Sequence, residues 1–152
     1  MYKRQSVKWP NDILSGNKKL AGILVESSVH KSTAKSIIVG MGVNVNQIRF
    51  PQLPNATSMR LCTKKTYDLD ALLLSLAPQL IERLTIPGKD WDSIYQQSLY
   101  GLNQKRRFKR GKHEFEGIIR SVSSEGKLVL ETETGDQLFE AKELKFMNIA
   151  NQ

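Results

Sequence analysis

The sequence predicts an α+β protein: a partial mixed β-sheet with helices, followed by a small β barrel. Three observations carry this expectation. The runs KLAGILVESS (19–28) and KSIIVGMGVNV (35–45) are apolar, rich in β-branched residues and of strand length. The run LDALLLSLAPQLIERL (69–84) has helical spacing. Beyond Gly101 the texture changes to short alternating segments broken by turn residues. About five strands in roughly 45 residues is the pattern of a small, partly open barrel. The change of period sets a boundary near residues 102–103, dividing the chain into 6–102 and 103–148.

Taken in order, Pro10-Asn11-Asp12 predicts a turn that exposes an amide and a carboxylate beside a strand end. The polar stretch VHKSTA (29–34) joins the two apolar runs as a hairpin, so they pair antiparallel. Gly22, Gly40 and Gly42 interrupt those runs. An interior glycine weakens a strand and asks for a reason, such as a ligand or another backbone passing close. IRFPQLPNAT (48–57), with two prolines and little periodicity, is a loop. Asp68 is the expected N-cap of the long helix. Pro78 should kink or divide that helix, and Pro87-Gly88 should end it. DWDSIYQQSLYG (90–101) reads as a last short helix stopped by Gly101. In the alternating region, turns fall at Arg110-Gly111, Glu125-Gly126 and Gly135-Asp136.

The composition, 39% hydrophobic and 25% charged over 152 residues, is that of a soluble globular chain. No run reaches the roughly 18 apolar residues of a membrane span. MYKRQSVKWP has no apolar core of a secretory signal. A single cysteine, Cys62, excludes an internal disulfide and a multi-cysteine metal site. A cytoplasmic location is the default expectation. The net charge is +8, with +6 in residues 1–102 and +2 in residues 103–152. Such a surplus suits nucleic acid or a polyanionic small molecule such as ATP.

Lys8, Asn11, Asp12, Lys18 and Lys19 are the first chemical cluster. Lysines there would hold a carboxylate or phosphates, and Asn11 or Asp12 a metal carried on those phosphates. On pattern alone, a Pro-Asn-Asp surface turn with solvated lysines is the commoner meaning. GMGVN (40–44) is the second cluster. It lets a ligand approach the backbone, but lacks the third glycine and following helix of a dinucleotide fingerprint. A glycine-bulged buried strand accounts for it equally well. His30 and His113 have no partner at ligand spacing. Cys62 reads as a small buried residue and Trp9 as packing. The run 105–112 holds six cations and Phe108, and reads as a solvated strand edge rather than a nucleic-acid patch.

Together, KWPND (8–12), KKLAGILVE (18–26), VGMGVNVN (39–46) and LPNATSM (53–59) resemble the biotin protein ligases. The resemblance runs from about residue 7 to residue 147. It implies a class II synthetase-like catalytic fold followed by an SH3-like β barrel, with ELKFM (143–147) where the family carries an SLR-like stretch. The implied activity joins biotin to ATP, giving biotinyl-5′-adenylate and pyrophosphate. Biotin then passes to a lysine of a biotin carboxyl carrier protein. The implied catalytic residues are Lys19, Asp12 and Lys8. Lys19 would offset the repulsion of carboxylate and phosphate, and Asp12 would orient or deprotonate the acceptor lysine. Biotin would meet Lys19, Gly22, Ile23, Gly40, Gly42 and Val43. ATP and the adenylate would meet Asn11, Asn44, Ala56, Thr57 and Ser58. Asn44 would also lie near Mg²⁺ on the phosphates. Family dimers form through sheet edges, which leaves a homodimer open, and DNA is a partner only of relatives with an N-terminal DNA-binding domain. A Ser/Thr-rich segment and a GRGRxGR-like loop precede KWPND in the family and are not found here. The expectation is therefore a truncated chain with little or no activity alone, with residues 1–5 foreign to the fold. The alternatives are a lipoate–protein ligase, disfavoured by KWPND and the C-terminal β region, and a small basic nucleic-acid-binding module, disfavoured by few aromatics.

Overall fold

The computed structural model describes residues 5–30, 33–85 and 90–147; the side chains of 27–30, 33–35 and 84 lie outside that description. The His30 side chain, part of the 29–34 connection, Pro87-Gly88 and residues 1–4 therefore carry no structural statement.

The first half is built on a four-stranded antiparallel sheet in the order β1-β2-β3-β4. Its strands are β1 (Gln5–Lys8), β2 (Asp12–Ser15), β3 (Lys18–His30) and β4 (Thr33–Val43). The two apolar runs are β3 and β4, paired from Ala21–Val43 outward to His30–Thr33. Parallel contacts are single bridges, Val7 to Leu99 and Lys19 to Ala56. β1 and β2 close around Trp9-Pro10-Asn11, and β2 turns into β3 at Gly16, whose φ of +60° suits glycine.

After an irregular stretch, Ser58 caps a short helix α1 (Met59–Thr63), accepting from the Leu61 N–H at 3.1 Å. Helix α2 spans Leu69–Thr85, and Asp68 receives the Ala71 N–H at 3.0 Å, as an N-cap should. Pro78 does not divide α2. It removes one N–H donor, yet the helix continues through it with the proline exposed. Helix α3 is Trp91–Gln97, capped by Asp90 and ended at Ser98, three residues before the expected Gly101. Gly101 instead takes φ +76° in the turn that follows.

The second half is a five-stranded antiparallel sheet in the order β8-β7-β6-β5-β9. Its strands are β5 (Lys105–Arg110), β6 (His113–Val122), β7 (Leu128–Thr132), β8 (Gly135–Phe139) and β9 (Lys145–Met147). Among the described residues no pairing joins β8 to β9, so the sheet is open there. The last hairpin turns at Glu133-Thr134, with Gly135 already paired to Thr132, two residues earlier than expected. Alternation along the strands buries Phe108, Ile119, Leu128, Leu130 and Phe139 to 1% exposure or less. Trp9 and Leu99 belong to the same cluster, so the first-half turn is anchored in the second-half core.

β5 is an interior strand, paired on both sides, and not the edge its charge pattern suggested. Its cations meet carboxylates. Lys105 and Arg107 reach Glu116 at 2.7 and 3.3 Å, and Arg110 reaches Glu143 at 2.8 Å. Cross-strand ion pairing thus explains the run without an edge or a nucleic acid.

Candidate functional site

Lys8 and Asp12 are direct cross-strand partners in β1 and β2, so their side chains share one face. Asp12 in turn faces Gly22 on β3. A bulge between Ile13 and Leu14 then shifts the register, pairing Leu14 with Lys19 and Ser15 with Lys18. The extra residue moves Lys19 onto the Asp12 face and Lys18 onto the other. Lys19 Nζ lies 2.5 Å from Asp12 Oδ1, and Lys8 Nζ lies 3.8 Å from Asp12 Oδ2. One carboxylate thus sits between two ammonium groups, with Lys19 about half exposed.

Gly22 makes this arrangement possible. A Cβ there would stand 3.3 Å from Lys19 Nζ and 3.7 Å from Asp12 Oδ1. Gly42 is the cross-strand partner of Gly22, and a Cβ there would meet nothing within 4 Å. Gly40 lies two residues along on the same face. The three glycines form a floor without side chains, ending at Asp12 and Lys19. Ile23 and Val43 do not share it. By alternation their side chains take the opposite face, where Ile23 lines a groove with Met41 and α2 residues Ala77 and Leu80.

The backbone of Lys19 is clamped by the loop before α1. Its N–H donates to the Asn55 carbonyl at 2.7 Å, and its carbonyl accepts from the Thr57 N–H at 2.8 Å. Ala56, between them, lines a cavity of about 530 Å³ with Lys8, Asp12, Lys19 and Asn44. Thr57 and Ser58 are buried, but the Ser58 hydroxyl is spent on capping α1 and that of Thr57 lies 3.6 Å from Cys62 Sγ. Neither lines the cavity. Asn11 does not line it either; its amide donates to the Ile23 carbonyl at 2.6 Å and fastens the turn to β3. Cys62 is exposed, not buried, because α1 buries none of its residues.

Asn17, the 52–55 segment and Phe146 also line the cavity; residues 53–55 and Phe146 fall in the LPNATSM and ELKFM stretches, but the sequence assigned them no role in the site. Phe146 comes from β9, and Lys8 Nζ stands 5.0 Å from its ring centroid. Trp9 is 3% exposed and donates from Nε1 to the Gly126 carbonyl at 2.8 Å, so its packing role holds. Among the described residues no three His, Cys, Asp or Glu side chains gather as a metal site. Asp12 contributes a carboxylate and Asn44 an amide oxygen to the lining of the cavity. No described helix is long and apolar enough to cross a membrane.

Two lysines flanking a carboxylate beside an open glycine floor define a class of site: one that gathers anions next to an amine- or proton-binding group. Residues 2–44 match the model of the Biotin/lipoate A/B protein ligase family. The chain is 31% identical over 137 residues to the bifunctional ligase/repressor BirA of Bacillus spizizenii, covering 85% of this chain and 42% of that protein. It is 29% identical over 162 residues to the biotin–[acetyl-CoA-carboxylase] ligase of Paracoccus denitrificans, covering 94% of this chain and 63% of that one. The solved biotin protein ligase of Aquifex aeolicus in complex with biotin and ATP superposes with a TM-score of 0.72 at 27% identity, over 94% of this chain and 62% of that one. The apo form of the same ligase gives a TM-score of 0.74. The chain spans less than two thirds of the length of each of these relatives; over that part it is similar to biotin protein ligases, and it shares the fold of the Aquifex aeolicus enzyme.

Proposed function

We propose that the protein serves biotin–protein ligation: ATP-dependent formation of biotinyl-5′-adenylate, then transfer of biotin to a carrier-protein lysine. The observation that carries this reading is the Lys19–Asp12–Lys8 cluster at the end of the glycine floor. In the first step a biotin carboxylate oxygen attacks the α-phosphorus of ATP, and pyrophosphate leaves. Two anions must meet, and Lys19 offsets their repulsion. Gly22, Gly40 and Gly42 give biotin room against the strands, while Lys8, Asn44 and Ala56 face the nucleotide. Mg²⁺ travels with the phosphates. The arriving anions draw Lys19 away from Asp12 and free a carboxylate oxygen. That oxygen then receives a proton from the acceptor lysine, whose amine attacks the adenylate carbonyl with loss of AMP. Asn11, Thr57 and Ser58 act through the backbone they hold, not by touching ATP. Residues 6–102 form the catalytic unit and 103–148 a unit braced against it. The setting is the cytoplasm, and the partner is a biotin carboxyl carrier protein.

Thermal shift tests the ligand class. Biotin with ATP should raise Tm most; lipoate with ATP doing so would move the reading to lipoate ligation, and an oligonucleotide alone doing so would end it. Biotin- and ATP-dependent labelling of a carrier lysine tests the full activity.

A further inference from the structure

We propose that Phe146 is a positioning residue for Lys8, through which the second sheet sets the grip of the site on the nucleotide phosphates; this rests on the ATP-dependent reading above. The backbone on either side of Lys8 is fixed. The Val7 N–H donates to the Ser98 carbonyl at 2.8 Å, and the Val7 carbonyl accepts from Tyr100 at 2.8 Å. On the other side, Trp9 is buried in the second-half core. The long Lys8 stem is not fixed by its ion pair, since 3.8 Å to Asp12 Oδ2 is too far for a good hydrogen bond. Among the described residues, Lys8 Nζ also stands 5.0 Å from the centroid of the Phe146 ring. That ring is itself held from behind. Phe146 pairs with Phe108 across β9 and β5, and the two rings meet edge to face at 5.1 Å and 66°. Phe108 is fully buried, so the Phe146 ring has a rigid support.

The chemistry gives an aromatic face a purpose here that a second carboxylate could not serve. The ring quadrupole attracts an ammonium group without adding a negative charge. Lys8 is aimed into the cavity and keeps its charge for an anion. Phe146 lines the same cavity, beside Lys8, Asp12 and Lys19. The geometry therefore links the second sheet to the phosphate-facing cation.

Isothermal titration with ATP, biotin present, tests this. Phe146→Leu keeps an apolar side chain but loses the ring face, and should weaken ATP binding roughly three- to tenfold. Phe146→Trp should restore most of it. Pentafluorophenylalanine at position 146, which keeps the ring shape and inverts its quadrupole, should match the leucine variant and guards against a folding defect in it. Lys8→Met should cost clearly less in the Phe146→Leu background than in the wild type, as a coupled pair requires. Leu138→Ala, on the exposed side of the same sheet, should change nothing. Wild-type binding by Phe146→Leu and by the fluorinated protein, or additive losses in the cycle, would overturn the role of Phe146 and leave the site reading intact. No ATP binding by the wild type would remove both.

Discussion

Lys19 and Lys18 are neighbours in sequence with opposite fates, because a bulge separates their faces. Lys19 engages Asp12, whereas Lys18 makes no ion pair among the described residues. If Lys19 stabilises the charge of carboxylate meeting phosphate, Lys19→Ala should slow pyrophosphate release about a hundred- to a thousandfold, as loss of one such donor does. Lys18→Ala should lose far less; equal, small losses would reduce both to surface charges. The glycine floor allows a separate check. Gly22→Ala pushes on the flexible end of Lys19, 3.3 Å from the new Cβ, so it should disturb the ion pair with little effect on Tm. Gly42→Ala meets open space and should leave the fold as stable or about 0.5–1 kcal/mol more so. If biotin lies on the floor, the same Gly42→Ala protein should bind it more weakly. Unchanged biotin titration would place biotin elsewhere. The cluster Lys8, Asp12, Lys19 was legible because it is short-range and motif-borne. Ser58, expected beside the adenylate, has its hydroxyl on the Leu61 N–H, because a hydroxyl that caps a helix looks the same in sequence as one that meets a ligand.

At the scale of elements, Trp9 joins the turn that carries Lys8 and Asp12 to the core of the second sheet. Trp9→Ala should cost about 3–5 kcal/mol, the usual loss for a buried large aromatic side chain. It should also lower activity beyond the loss of folded protein, because the turn loses its anchor. Chemical denaturation alongside activity corrected for folded fraction separates the two. The second sheet adds a pH dependence through Glu143. The Glu140 backbone N–H, then Arg110, hold its carboxyl below the ordinary value of 4.5. Its stabilising effect is therefore full above that value and is lost as pH falls through the lowered one. The advantage of the wild type over Glu143→Gln in urea midpoint should shrink over that acid range and stay flat at neutral pH. The long apolar strands β3 and β4 and helix α2 were legible from period and composition. β1, β2 and α1 were not, since four or five residues such as QSVK, DILS and MRLCT are too short for a period and owe their form to partners. The charged β5 read as an edge because its balancing carboxylates lie on neighbouring elements.

For the whole molecule, two faces contrast. The second sheet buries Phe108, Ile119, Leu128, Leu130 and Phe139, leaving Leu138 exposed, and carries cross-strand ion pairs such as Lys105–Glu116 and Arg120–Glu131. The first sheet and α2 present Leu24, Val25, Ile37, Ile38 and Leu74 at 58–75% exposure. Among the described residues β4 is an edge strand, paired only to β3. From Ser36 to Val43 that edge carries no charged residue, and an uncharged apolar edge is a template for pairing with another chain. The isolated chain should therefore self-associate with rising concentration, despite a net charge of +8 that opposes contact. Salt should strengthen the association by screening that charge. Ile38→Lys, at the centre of β4, places a cation in the edge and should shift sedimentation toward monomer. Leu138→Lys, equally exposed in kind but on the second sheet, should not. Monomeric wild-type chain across the concentration range would mean the exposed edge is protected in solution by a contact the described residues do not make.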